Sequence, residues 1–269
     1  MTRISCAVAA LLCASSGAFA QEMLNMPSAT APSPGVVIPR WQARAFAFEG
    51  GQWLLEQALR VDVGVARDVS MSADLSLFQG FLDSPRASDG EFGLGDLECA
   101  IEFRVLRADL NALDTVRAAV FVGTELPTGT GDFSGESVDP FAGAALTAIF
   151  GRHGFDAAAR YTFVTGGGHD HPIFASDTAD DFANLDVGYA FRLYPSEYGE
   201  DRVGAWYATL ELNSIVTTGG EYEVLLSPGL LLEAPSYAVE FGLQFPLAQD
   251  HVHMPALRMG FVLGLRLIF

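Results

Sequence analysis

Every second residue from Leu257 to Phe269 is large and apolar. Leu257, Met259, Phe261, Leu263, Leu265, Leu267 and Phe269 share one phase, while Arg258, Gly260, Val262, Gly264, Arg266 and Ile268 share the other. Period two marks a strand with two unlike faces. A strand in a soluble core rarely runs this long, whereas a tilted membrane-spanning strand needs about 9–11 residues. This stretch narrows the choice to long soluble strands or a membrane barrel, and the rest of the chain decides between them.

Half of the residues are hydrophobic, yet beyond the first twenty no run is long and apolar enough to cross a bilayer as a helix. In lipid only helices and closed barrels pair every backbone N–H and C=O, so an apolar chain without helical spans points to a barrel. Residues 1–20 read as a secretory signal: Arg3, an apolar run from Ala7 to Ala14, then Ala18-Phe19-Ala20 ahead of Gln21. Cleavage after Ala20 removes Cys6 and Cys13. Leu12 before Cys13 is a poor fit to lipidation. Cys99 then remains alone, so no internal disulfide forms. The net charge is -18 and every basic residue is arginine, a balance that excludes nucleic-acid binding through the overall field.

Residues 21–39 are rich in Pro, Ser and Ala and lack periodicity; they are expected to form a flexible periplasmic arm, with a short plug as the less favoured alternative. The barrel is expected over residues 40–269, its first strand at Arg40 to Phe48. Alternating segments follow around Val61, Leu75, Ile101, Val120, Ala157, Val187, Leu210, Leu230 and Phe241. Val138 to Phe150 is ambiguous in phase because it is rich in Ala and Gly. Long loops are expected at Gln79 to Gly95, Thr165 to Asp181 and Ala248 to Pro255. The fold class is thus an all-β, antiparallel transmembrane β-barrel of about twelve strands. With both ends in the periplasm, the short turns at Ala66, Gly151 and Ala234 fall inside and the longer loops outside.

The polar phase defines the candidate lumen. From the first half of the barrel come Arg60, Asp62, Asp74, Glu98, Glu102, Arg104, Arg117 and Glu125. The second half adds Arg160, Asp186, Arg192, Glu211, Glu240, Arg258 and Arg266. Glu56 and Asp156 share that phase. Such residues can fill a small barrel as a salt-bridge network; if the lumen is open, the excess of acids gives it a negative field.

His169-Asp170-His171 and His251-Val252-His253 fall in loops and could bind zinc or copper if the loops meet, but solvated loops explain them equally well, and no metal or cofactor is assigned. No histidine falls within an expected strand and no Ser–His pairing is visible, so the chain is read as not an enzyme. Cys99 lies on the outward phase as a small apolar residue.

The closing strand resembles the C-terminal strands of bacterial outer-membrane barrels, in which a terminal Phe and alternating apolar residues are the insertion signal. That resemblance implies that Phe261, Leu263, Leu265, Leu267 and Phe269 address the chain to the barrel-assembly machinery and the outer-membrane bilayer. GLGDLECAIEFRV (Gly93 to Val105), VFVGTELPTGTGDFSG (Val120 to Gly135), YATLELNSIVTTGG (Tyr207 to Gly220) and SPGLLLEAPSYAVEFGLQFPL (Ser227 to Leu247) resemble the phenol-degradation meta-pathway family of outer-membrane transporter-like proteins. The family resemblance implies a channel for passive uptake of small hydrophobic or aromatic solutes. The rival expectation is a closed barrel with a structural or surface-binding role.

Overall fold

The computed structural model describes residues 23–82, 92–111, 114–166, 180–197, 204–252 and 255–269. Twelve long strands carry the chain back and forth. They are β1 (Val37–Phe48), β2 (Trp53–Ala66), β3 (Val69–Leu82), β5 (Leu97–Asp109), β6 (Thr115–Leu126) and β7 (Asp139–Phe150), then β8 (His153–Thr162), β9 (Phe182–Tyr194), β10 (Ala205–Thr217), β11 (Tyr222–Glu233), β12 (Tyr237–Asp250) and β13 (Leu257–Leu267). The two-residue β4 (Phe92–Gly93) pairs only with the end of β3. Each long strand lies antiparallel to its neighbours, and β1 pairs with both β2 and β13, which closes the sheet into a ring. Closure leaves the long strands without an unpaired edge. Among the described residues the only helical element is a single 3₁₀ turn at Gly131–Phe133.

Alternation along each strand sorts the side chains. Val187 and Leu210 point outward and are about half exposed, whereas Asp186 and Glu211 beside them point inward and are buried. In β7 the ambiguity is resolved: Phe141, Ala145, Thr147 and Ile149 face inward, and Leu146 and Phe150 face outward. An outer belt of apolar side chains around a polar interior is stable only with hydrocarbon outside. Val187→Arg is therefore expected to cost roughly 2–4 kcal/mol of folded stability in lipid. The check is the folded fraction after refolding into vesicles, read from gel migration without boiling; an unchanged fraction would show that this face does not meet lipid.

Several expectations need correction. The first strand starts at Val37 rather than Arg40. β3 continues to Leu82 and β12 to Asp250, so Gln79 and Ala248 lie in strands rather than loops. His153, placed in a turn by the sequence, is the first residue of β8, and its Nδ1 lies 2.8 Å from the Tyr189 hydroxyl. Arg258 does not face the lumen. Ala47 pairs with Met259 but Phe48 pairs with Leu257, so Arg258 is the extra residue of a bulge. A bulge of one residue reverses the phase beyond it. Leu257 consequently turns inward to join Phe46, Phe48, Leu54 and Leu225 in an apolar cluster, and Arg258 is exposed.

Two ends of the barrel can be distinguished. At the terminal rim β1 begins and β13 ends, and the chain turns over at residues 67–68, 110–114, 151–152, 195–204 and 234–236. The Asp68 carboxyl in the first of these turns accepts hydrogen bonds from Arg104 at 2.8 and 3.0 Å, which hold it below the usual carboxylate range. The far rim carries the longer connections at residues 83–96, 127–138 and 163–181, together with the apolar cluster around Phe48.

Candidate functional site

The largest departure from the sequence reading concerns the segment ahead of β1, expected as a mobile periplasmic arm. Over residues 23–36 it enters the barrel from the terminal rim and lies against the inner wall. Met23 and Ala29 have no exposed surface, and Leu24 and Met26 are buried. Met23, Met26 and Ala29 pack with Ala119, Phe121, Phe141, Ala145, Ala158 and Ala190 of β6 to β9. At roughly 1.5–3 kcal/mol for each large apolar side chain removed from water, this burial offsets only part of the entropy lost by ordering the segment, and polar contacts with the wall must supply the rest. Composition marked the segment as irregular, which is true, but an irregular backbone can still be fixed if the wall supplies its hydrogen-bond partners.

The wall does so with side chains. The Glu211 carboxylate accepts from the backbone N–H groups of Leu24 at 2.8 Å and Asn25 at 3.0 Å. Arg40 donates to the carbonyls of Leu24 at 2.7 Å and Met23 at 3.2 Å, and Gln42 donates to the Leu24 carbonyl at 3.0 Å. Further along, the Thr147 hydroxyl accepts from the Ala29 N–H at 3.1 Å while donating to Asp156 at 2.6 Å. Near the terminal rim Gly35 donates to the Gly64 carbonyl at 2.8 Å and Gly64 donates to the Val36 carbonyl at 3.0 Å. Inward glycines make the room. A Cβ on Gly242 would lie 2.8 Å from the Leu24 side chain, and one on Gly64 would lie 2.1 Å from the Ser33 carbonyl oxygen, a backbone atom that cannot step aside.

Arg40 is held in turn by Glu240, a fully buried carboxylate that pairs with Arg40 at 2.7 Å and with Arg266 on its other oxygen. Arg44 pairs with Glu56 at 3.2 Å. Arg40, Gln42 and Arg44 were absent from the residues proposed for the lumen. Their signal was available: they alternate with Trp41, Ala43 and Ala45 on β1.

Beside the segment a cavity of about 200 Å³ remains, lined in part by Asn25 and Pro27. It brings together seven of the proposed lumen residues: Arg60, Asp62, Glu98, Glu102, Glu125, Arg160 and Asp186. Arg60 pairs with Asp62 at 2.9 Å and Arg160 with Glu98 at 2.6 Å. Asp186 accepts from Asn213 at 3.2 Å. Asp74 is in register between Arg60 and Glu98. Five carboxylates against two guanidinium groups leave the lining acidic. Phe121, Phe141 and Phe182 supply aromatic wall, and the Arg160 guanidinium carbon lies 3.7 Å from the Phe141 ring centroid.

The remaining proposed residues lie elsewhere. Glu211, Glu240 and Arg266 hold the segment rather than line the cavity. Arg104 is bound to the turn at Asp68, and Arg192 donates to the Pro195 carbonyl at 3.1 Å, so both work at the terminal rim. Arg117 lies beside Arg107 on the neighbouring strand. His251 pairs with Glu223 at 3.0 Å near the apolar cluster of the far rim. His169, His171 and His253 lie outside the described residues, and among the described residues no group of three or more His, Cys, Asp or Glu could hold a metal ion.

No family model and no curated protein matches the chain. Solved structures do. An outer-membrane channel from Pseudomonas putida F1 superposes with a TM-score of 0.62 at 13% identity, covering 92% of this chain and 100% of the other. The NanC porin superposes with a TM-score of 0.50 at 10% identity, covering 86% of this chain and 98% of the other. At such identities the likeness concerns the fold, that of outer-membrane barrels.

Proposed function

We propose that the chain is a channel of the bacterial outer membrane that passes small solutes, hydrophobic or aromatic ones among them, by diffusion through a lumen half filled by its own N-terminal segment. The observation that carries this reading is the acidic cavity beside that segment, a polar, aromatic-walled space left unfilled inside a closed barrel. The fold shared with an outer-membrane channel and a porin supports it. In this reading the terminal rim is periplasmic. Residues 1–20, with the basic start and the Ala18-Phe19-Ala20 site of a secretory signal, are removed on export in this reading.

The second reading, a closed barrel, draws on a specific feature: Phe46, Phe48, Leu54, Leu225 and Leu257 form an apolar cluster inside the far rim. Conductance of the refolded protein in a planar bilayer separates the two. The channel reading expects discrete current steps and, in a salt gradient, a reversal potential of the sign for cations, because five carboxylates face two guanidinium groups in the cavity. Silence across many insertions would leave the closed barrel.

A further inference from the structure

We propose that the cavity is a transit site for small amphipathic organic cations, an ammonium carried on a single aromatic ring; this rests on the channel reading. The first observation is a strain in the charge layout. Across β5, β6 and β7, Glu98 lies directly opposite Glu125, and Glu125 directly opposite Asp139, so carboxylates face one another on adjacent strands. Like charges in register are destabilising. Arg160 answers one of them, at 2.6 Å from Glu98. Arg60 is engaged by Asp62 on its own strand at 2.9 Å. Both guanidinium groups of the lining are thus hydrogen-bonded to other carboxylates, Arg160 acts on Glu125 only through space, and a cation from outside the chain adds the direct partner that Glu125 lacks in the lining.

The second observation is independent of charge. The wall beside these carboxylates is aromatic: Phe121 meets Phe141 edge to face, with ring centroids 6.4 Å apart, and Phe182 lines the same space. Arg160 already occupies part of the cavity as the proposed ligand would, a planar cation held by a carboxylate and laid over the Phe141 ring at 3.7 Å. Phe121 and Phe141 are buried and Arg160 covers the Phe141 face, so the ring contact offered to a ligand is that of half-buried Phe182; a bare metal ion gains nothing from it, and a neutral ring would leave the carboxylates unanswered. A volume of about 200 Å³ suits one ring with a short side chain. Asn25 and Pro27 form part of the boundary, so the inserted segment helps to set the size limit.

The test is block of potassium current through the refolded full barrel by benzylammonium, with benzoate and benzyl alcohol as matched rings of other charge. Benzylammonium is expected to reduce the current at millimolar concentration while the other two leave it unchanged. Glu125→Gln should raise the half-blocking concentration about tenfold, the loss of one charge-assisted contact. Methylammonium, which lacks the ring, should block far more weakly. Potassium current insensitive to benzylammonium would overturn the transit site while leaving the channel standing. Equal block by benzyl alcohol or by methylammonium, or an unshifted block in Glu125→Gln, would also overturn it. No current in the unmodified protein would overturn the channel reading itself.

Discussion

Removal of residues 23–34 from the exported chain, with Gly35 and the twelve barrel strands retained, is expected to raise single-channel conductance several-fold. Those residues lie in the lumen beside the cavity, where Asn25 and Pro27 form part of its lining, and they are held there as backbone: Glu211 grips two N–H groups and Arg40 and Gln42 grip the carbonyls. The strands close the ring by pairing with one another without the segment's help, so the barrel should survive its loss. Gel migration without boiling tests that survival separately from conductance. Glu211→Gln is the milder form of the experiment. One amide oxygen replaces two carboxylate oxygens, each of which now accepts a backbone N–H, so at least one of those bonds weakens. The segment should then leave and return on the recording timescale, seen as noisy current between two levels. Conductance unchanged in both variants would show that ions do not pass where the segment lies.

Replacing Glu240 should damage stability more than any other single change in the lumen. This carboxylate has no exposed surface and sits between Arg40 and Arg266, bonding one with each oxygen. Glu240→Ala removes the buried carboxylate that the two guanidinium groups share, and breaking a buried pair by removing one partner costs roughly 3–5 kcal/mol. Glu240→Gln, which keeps two hydrogen-bonding atoms, should cost less. The measure is the temperature at which the compact gel band is lost, or the unfolding rate in denaturant, since barrels in membranes are better compared by kinetics than by equilibrium. Because Arg40 also holds the carbonyls of Met23 and Leu24, the Ala variant should add the current noise expected of Glu211→Gln. An unaltered transition temperature would mean that water solvates the two arginines and that this part of the lumen is wetter than its packing implies.

The structure shows how far periodicity alone reaches. Strand and face could be read wherever the alternation was unbroken, as at Leu185 to Leu193 against Asp186 and Arg192. They failed where one extra residue entered a strand: Arg258 obeys the phase of Arg266, yet the bulge next to Leu257 turns it out of the lumen. Nothing in the local sequence announces that bulge, because it is set by the pairing of β13 with β1, two strands more than two hundred residues apart in the chain. In β7 the alternation was hidden by small residues, and only the neighbouring strands decided which face was inward.

The sequence by itself determined that this chain forms a closed antiparallel barrel with an apolar outside and an acidic inside, because period-two patterning and the lack of helical spans leave no other way to satisfy the backbone. Tertiary structure alone decided what the inside contains. Residues 23–36 carry no periodicity and a loop-like composition, so no local rule separates an arm in water from a segment in the lumen; the difference lies in partners supplied from afar, Glu211 for the N–H groups, Arg40 and Gln42 for the carbonyls, and Gly229 and Gly242 for the space that Leu24 fills. Likewise the acids of the lumen were visible one by one, but which arginine each would meet depends on strand register, and that is fixed only when the ring closes.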